Sequence, residues 1–309
     1  MAEDHSHSHS HSHSHAEASR KRLAGALAVT AGVMIAEIVG AFISGSLSLL
    51  ADAGHMFVDS AGLGVAMVAA TLMTKPPSLK RTWGYARAEV LAAGLQAGIL
   101  IALCGFIAYE AIERLMNPTI VLPGPMLWIG AIGLLANIVS MLILSGGRND
   151  SLNMKAAFLE VASDALGSVA VLVAALVLMT TGWPYADSVA SLLIAVLIGV
   201  RAAHILKQSV RILMEQTPEG LDLERVQERM LEHPEVLRVH DLHASSVGTG
   251  LNTLTAHVVV TQRCIDAGNS VRVLHELQSG LTEGLPIELN HMTVQIDSPT
   301  HAGHETLAH

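Results

Sequence analysis

The sequence predicts an α-helical membrane protein of six transmembrane helices, followed by a small cytoplasmic α+β domain. Three observations predict it. Of 309 residues, 51% are hydrophobic and only 15% charged, less charge than a soluble domain carries. Six apolar runs, at roughly 22–43, 47–73, 87–109, 120–145, 156–180 and 184–206, are each long enough to cross a bilayer. After residue 207 the chain turns polar and mixed in charge, over an ordinary small-domain length.

The elements follow in order. Residues 1–19 alternate His and Ser from His5 to His15. They hold too little apolar surface to pack, and read as a disordered tail whose imidazoles collect Zn2+, Co2+ or Ni2+. No secretory signal is read here. Residues 20–207 form the membrane domain. Ser44-Gly45-Ser46 turns the chain into span two, and Pro76-Pro77 ends that span. Pro123 and Pro125 bracket the entry to span four, and Gly182 and Pro184 separate spans five and six.

Lys and Arg collect on the cytoplasmic side of a membrane protein. Arg20, Lys21 and Arg22 precede span one; Lys75, Lys80, Arg81 and Arg87 lie between spans two and three; Arg148 and Lys155 lie between four and five; Lys207 and Arg211 follow six. The opposite loops hold only Arg114. Both termini are therefore expected inside the cell. A net charge of −9 argues against a nucleic-acid partner. Cys104 and Cys264 lie far apart and form neither a metal knuckle nor a disulfide framework.

Residues 208–300 read as αββαβ, a small α+β sandwich. A helix spans Leu221 to His233 and stops at Pro234. Strands run over Val236–Ser246 and Leu251–Val260, joined by a turn at 247–250. A second helix covers Asn269–Glu283, and a last strand Ile287–Ile296. In that strand Met292, Val294 and Ile296 face one way, and His291, Thr293, Gln295 and Asp297 the other. Residues 301–309 are a short tail with His301, His304 and His309.

The chemistry sits at two short spacings within apolar runs, His55-x3-Asp59 and Glu160-x3-Asp164. Residues four apart share one helix face. An Asp at the centre of a membrane helix costs roughly 2.5–3.5 kcal/mol on insertion scales, and the inner parts of these spans offer no Lys or Arg to pair with it. Gly54, Ser60, Gly62 and Gly64 in span two, and Ala162, Ala165, Gly167 and Ser168 in span five, let helices approach closely. Four ligands are thus expected to meet around one divalent cation, and their nitrogen and oxygen donors suit tetrahedral Zn2+. Asp52 joins the same stripe as a partner behind the ligands or a bystander, and Glu37 either lines a wet cavity or sits protonated against a neighbour.

The motifs resemble the cation diffusion facilitator family along most of the chain. Ser46-Leu-Ser-Leu-Leu-Ala-Asp-Ala-Gly-His55-Met-Phe-Val-Asp59 resembles its second span, Gly84-Tyr-Ala-Arg-Ala-Glu-Val-Leu91 its entry to the third, and Ser163-Asp164-Ala-Leu-Gly-Ser168 its fifth. Asp187-Ser-Val-Ala-Ser-Leu-Leu-Ile194 resembles its sixth, and Leu213-Met-Glu-Gln-Thr-Pro218 its exit to the cytoplasmic domain. The resemblance implies a homodimeric exporter of divalent metal coupled to protons, with no prosthetic group; compact loops and the absence of organellar targeting suggest a bacterial inner membrane. Its cargo is Zn2+, with Co2+ and Cd2+ behind it. Its transport site combines His55, Asp59, Glu160 and Asp164. Many zinc-transporting members have His where this chain has Glu160, a harder donor set that leaves Fe2+ and Mn2+ open. Metal binding releases protons from such ligands, and rocking of helices around the site would exchange the two. The resemblance also implies a ferredoxin-like, dimerising and metal-sensing cytoplasmic domain. His240, His257 and Asp297 are its candidate ligands, and His243 and His291 further ones.

Two other classes remain open. A membrane metalloenzyme needs an open coordination position and a spare acid or base. A membrane-anchored sensor or scaffold has no use for carboxylates in spans two and five. A channel fits less well, since nothing resembles a carbonyl-lined filter.

Overall fold

The computed structural model describes residues 10–145, 152–282 and 285–301. Their order is α1 (Ser10–Ser44), α2 (Leu47–Met73), α3 (Ala88–Met116), α4 (Pro123–Ser145), α5 (Leu152–Thr181), α6 (Ala186–Leu213), α7 (Leu223–Leu231), β1 (Val236–Gly248), β2 (Leu251–Val260), α8 (Gln262–Asp266), α9 (Ser270–Thr282) and β3 (His291–Asp297). They divide into two compact units, Met1–Leu63 with Gln96–Ala203 and Gly64–Leu95 with His204–His309.

Among the described residues, five helices are long and apolar enough to cross a bilayer, and the apolar part of α1, Ala28–Ser44, is a shorter sixth. Their surface is inverted relative to a soluble bundle. Phe42, Met67, Trp128, Leu142 and Val200 are each at least 68% exposed, whereas Glu37, Asp52, His55, Asn137 and Asp164 are at most 8% exposed. Lipid accepts the apolar exterior, and the ionisable side chains turn into the bundle, where His55 and Asp164 pair. Apolar packing around Leu47, Leu49, Ile107, Met126 and Val171 holds the first unit. The chain is an integral membrane protein of six transmembrane helices with a C-terminal α+β domain.

The composition of residues 1–19 predicts disorder, yet α1 already begins at Ser10. Ala16, Glu17, Ala18 and Arg20–Arg22 are strong helix formers that extend it backwards. Residues 1–9 lie outside the described residues, as do His304 and His309. Between α1 and α2, Gly45 takes φ 71°, a left-handed conformation that glycine adopts without strain. Ser46 Oγ then accepts from Leu49 N at 3.2 Å, capping α2.

In the second unit three strands pair in the order β1-β2-β3, the first pair antiparallel and the second parallel. Val226, Met230, Leu254, Val258, Val273 and Leu281 form the core beneath the sheet. Asp222 caps α7 by accepting from Glu224 N and Arg225 N, which sets the helix start two residues after the sequence expectation. The third strand begins at His291, four residues later than expected. The short helix α8, capped by Thr261, has too few residues to show a period in the sequence.

Candidate metal sites

α2 carries Asp52, His55 and Asp59 at i, i+3 and i+7, and α5 carries Glu160 and Asp164 at i, i+4. The helices bring His55 and Asp164 together: Nε2 lies 3.0 Å from Oδ1, and both residues are buried. Behind His55, Asp52 Oδ1 stands 3.5 Å from Nδ1. Gly167 makes the approach possible, because a Cβ there would sit 2.5 Å from Asp52 Oδ1.

Asp59 and Glu160 do not join this contact. Asp59 Oδ1 accepts from Gln96 Nε2 of α3 at 2.9 Å, and Gly62 leaves the space into which Gln96 packs. Glu160 is half-buried, within electrostatic reach of Asp59, Asp164, His55 and Arg201. The four side chains are not among the described groups whose ligand atoms fall within 4.8 Å of one another. Arg201 of α6 qualifies the expectation that the spans hold no basic partner. Neither Gln96 nor Arg201 has a signal in local spacing.

The group that does meet that distance is His240, His257 and Asp297. The sheet dictates it. His240 and His257 are directly opposed in the β1-β2 register, with ring centroids 5.3 Å apart. Gln295 pairs with His257 across the parallel ladder, so Asp297, two residues on, lies on the same face. Its Oδ2 stands 3.4 Å from His257 Nδ1, and it is only 3% exposed. Gln295 Nε2 donates to Asp297 Oδ1 at 3.0 Å, and His301 Nε2 lies 3.7 Å from the same atom.

The sequence missed Asp241. A register shift between His240 and His243, with Asp241 at φ 50°, turns its carboxylate to within 3.8 Å of His257 and 2.9 Å of His243. A bulge of this kind re-aims side chains. His243 and His291 are not in the three-residue group: His243 is exposed beside Asp241, and His291 packs edge-on against Trp83 at 5.1 Å. Cys264 is buried in the core, and burial pushes its thiol above the ordinary range, so it remains a neutral apolar filler.

A helical bundle with ionisable groups turned inward, joined to an α+β domain with clustered histidines, is the architecture of a cation transporter. The cation efflux transmembrane domain matches residues 23–214, and the cation efflux cytoplasmic domain matches residues 218–299. The chain belongs to this cation efflux, or cation diffusion facilitator, family. It is 41% identical over 284 residues to the zinc transporter ZitB of Escherichia coli, covering 91% of this chain and 88% of that one. It is 40% identical over 277 residues to the cadmium, cobalt and zinc/H(+)-K(+) antiporter of Bacillus subtilis, covering 87% and 86%. It is 38% identical over 272 residues to the metal cation efflux system protein CzcD of Cupriavidus metallidurans, covering 88% and 84%.

Proposed function

We propose that this chain exports divalent metal from the cytoplasm in exchange for protons, with Zn2+ as principal cargo and Co2+ and Cd2+ as alternatives. It works as a homodimer in a bacterial inner membrane with both termini inside, as a transporter and not a metalloenzyme. Residues 20–207 form the transport domain, residues 208–300 the cytoplasmic regulatory domain, and residues 1–19 and 301–309 His-containing tails. The observation that carries the reading is the buried His55–Asp164 contact at 3.0 Å, which joins α2 to α5 at one point. The name of the Bacillus subtilis relative, a cadmium, cobalt and zinc/H(+)-K(+) antiporter, supports a metal/proton exchange, and those of the other two support zinc transport and metal efflux.

The transport ligands are His55, Asp59, Glu160 and Asp164, with Asp52 orienting His55 through its second ring nitrogen. Cargo needs a neutral imidazole and ionised carboxylates, so loading releases protons and reprotonation expels the ion. The acidic Glu160 hardens the donor set and widens the range of metals. His240, His257 and Asp297 form a cytoplasmic metal site.

Metal-driven proton flux in proteoliposomes tests this reading. Asp164→Ala should abolish flux while the protein still folds and dimerises; unchanged flux would remove Asp164 from the site. A metal-by-metal competition series on wild type and Glu160→His should narrow the range toward Zn2+ in the variant.

A further inference from the structure

One turn from His55, toward the start of α2, lies a cluster of buried polar side chains of which the transport reading uses only Asp52. It draws on four helices. Glu37 of α1 is 1% exposed, Asp52 of α2 0%, Asn137 and Ser140 of α4 1% and 0%, and Ser168 of α5 0%. Gly133, Asn137 and Ser140 follow i, i+4 and i+7, so they form one inward stripe of α4. Asn137 Nδ2 donates to Ser168 Oγ at 3.2 Å, and Ser168 Oγ donates to Asp52 Oδ2 at 3.5 Å. The Glu37 and Asp52 carboxyls are near neighbours. Room has been left for both: a Cβ on Gly133 would stand 2.7 Å from Glu37 Oε1, as one on Gly167 would crowd Asp52.

The hydrogen-bond balance of this pocket does not close. Both Glu37 oxygens, Asp52 Oδ1, Asn137 Oδ1 and Ser140 Oγ are buried and receive no hydrogen bond. With the carboxyls ionised, four of these five are pure acceptors, and Asn137 Nδ2 and Ser168 Oγ already donate elsewhere, which leaves Ser140 Oγ as the one donor of the set. Buried carboxylates are paired or coordinate a metal, and among the described residues no Lys or Arg pairs with either one. Apart from His55 Nδ1, which faces Asp52 Oδ1 at 3.5 Å, the unsatisfied atoms of this cluster are oxygens. Oxygen donors suit hard cations.

We propose that Glu37, Asp52, Asn137 and Ser168, with Ser140 beside them, form a second cation site in the membrane, built of oxygen alone and selective for a hard cation of the K+, Na+, Mg2+ or Ca2+ class. The site contains none of the four transport ligands but adjoins them through Asp52, which faces His55 Nδ1 at 3.5 Å, and the proposal does not depend on which metal they carry.

Equilibrium dialysis of the purified full chain in detergent tests it, with choline as the inert counter-cation. K+, Na+, Mg2+ and Ca2+ are offered singly, the retained ion is measured by elemental analysis, and Zn2+ binding is measured in parallel. The wild type should hold one of the four saturably. Glu37→Gln and Gly133→Ala should each weaken that ion at least about ten-fold. His55→Ala should weaken Zn2+ and leave the hard ion in place. Ser140→Ala removes one oxygen only and serves if either of the first two fails to give a monodisperse helical protein. Retention of none of the four ions by wild type overturns the proposal in favour of a carboxyl pair sharing a proton. Unchanged retention in the folded variants overturns it as well.

Discussion

Two positions without side chains set how close the bundle's carboxylates come to their neighbours. A methyl group at 167 would stand 2.5 Å from Asp52 Oδ1, so Gly167→Ala must displace that carboxylate or part α2 from α5. Overpacking of this kind costs about 1–3 kcal/mol. The variant should melt earlier in detergent and bind Zn2+ more weakly, which thermal unfolding and metal titration would measure. In the cytoplasmic domain, Asp297→Asn keeps the shape of the side chain and removes its charge. It should lower Zn2+ affinity of the His240–His257 face by about ten-fold or more, read by competition with a chromogenic chelator. The ionisable residues themselves were legible, because charge in an apolar run is conspicuous. Their partners were not. Gln96 reaches Asp59 from another helix, 37 positions away, and Asp241 reaches His257 only because β1 bulges. Such contacts are tertiary and leave no trace in local spacing.

At the scale of elements, helix starts decide much of the geometry. Asp187 at the head of α6 accepts from Ser46 Oγ at 2.6 Å, Leu47 N at 2.7 Å, Ser48 N at 3.2 Å and Ser48 Oγ at 2.6 Å. One carboxylate thus satisfies the first two free amides of α2, and its charge complements the positive end of the helix dipole. Hydrogen bonds to charged groups are worth about 1.5–3 kcal/mol. Asp187→Ala should therefore destabilise the bundle by at least that amount in thermal unfolding, and Asp187→Asn by less. The sequence contains the motif but not this role, since the donors sit 140 residues upstream. On α9, Glu276 accepts from His233 at 2.8 Å, and that bond, with Arg272 nearby, holds its carboxyl below the ordinary 4.5. A depressed carboxyl contributes stability above its unfolded value, which is lost as pH falls through the folded one. Glu276→Gln should lower stability slightly at neutral pH and flatten the fall on the acid side, so that the difference from wild type vanishes at low pH. The contribution is small because the pair is exposed. Strand positions in this domain were legible from their alternation, whereas α8 and the late start of β3 depend on turns and caps with no period of their own.

At the scale of the whole molecule, six apolar runs and one change of composition carried the architecture. Hydropathy works here because lipid forbids an unsatisfied backbone. The His-Ser tract leaves a prediction at the same scale: deleting residues 5–15 should alter apparent metal affinity in transport assays more than maximal rate. A fall in maximal rate alone would discard the collecting role. The Asp187 clamp has its own consequence for transport. It pins one end of α2, so any tilt of that helix must pivot there. At a rise of about 1.5 Å per residue, Asp52 lies only about 8 Å along the lever arm, His55 about 12 Å and Asp59 about 18 Å. The same swing therefore carries Asp59 more than twice as far as Asp52, so two carboxylates on one helix answer a single motion with very different displacements.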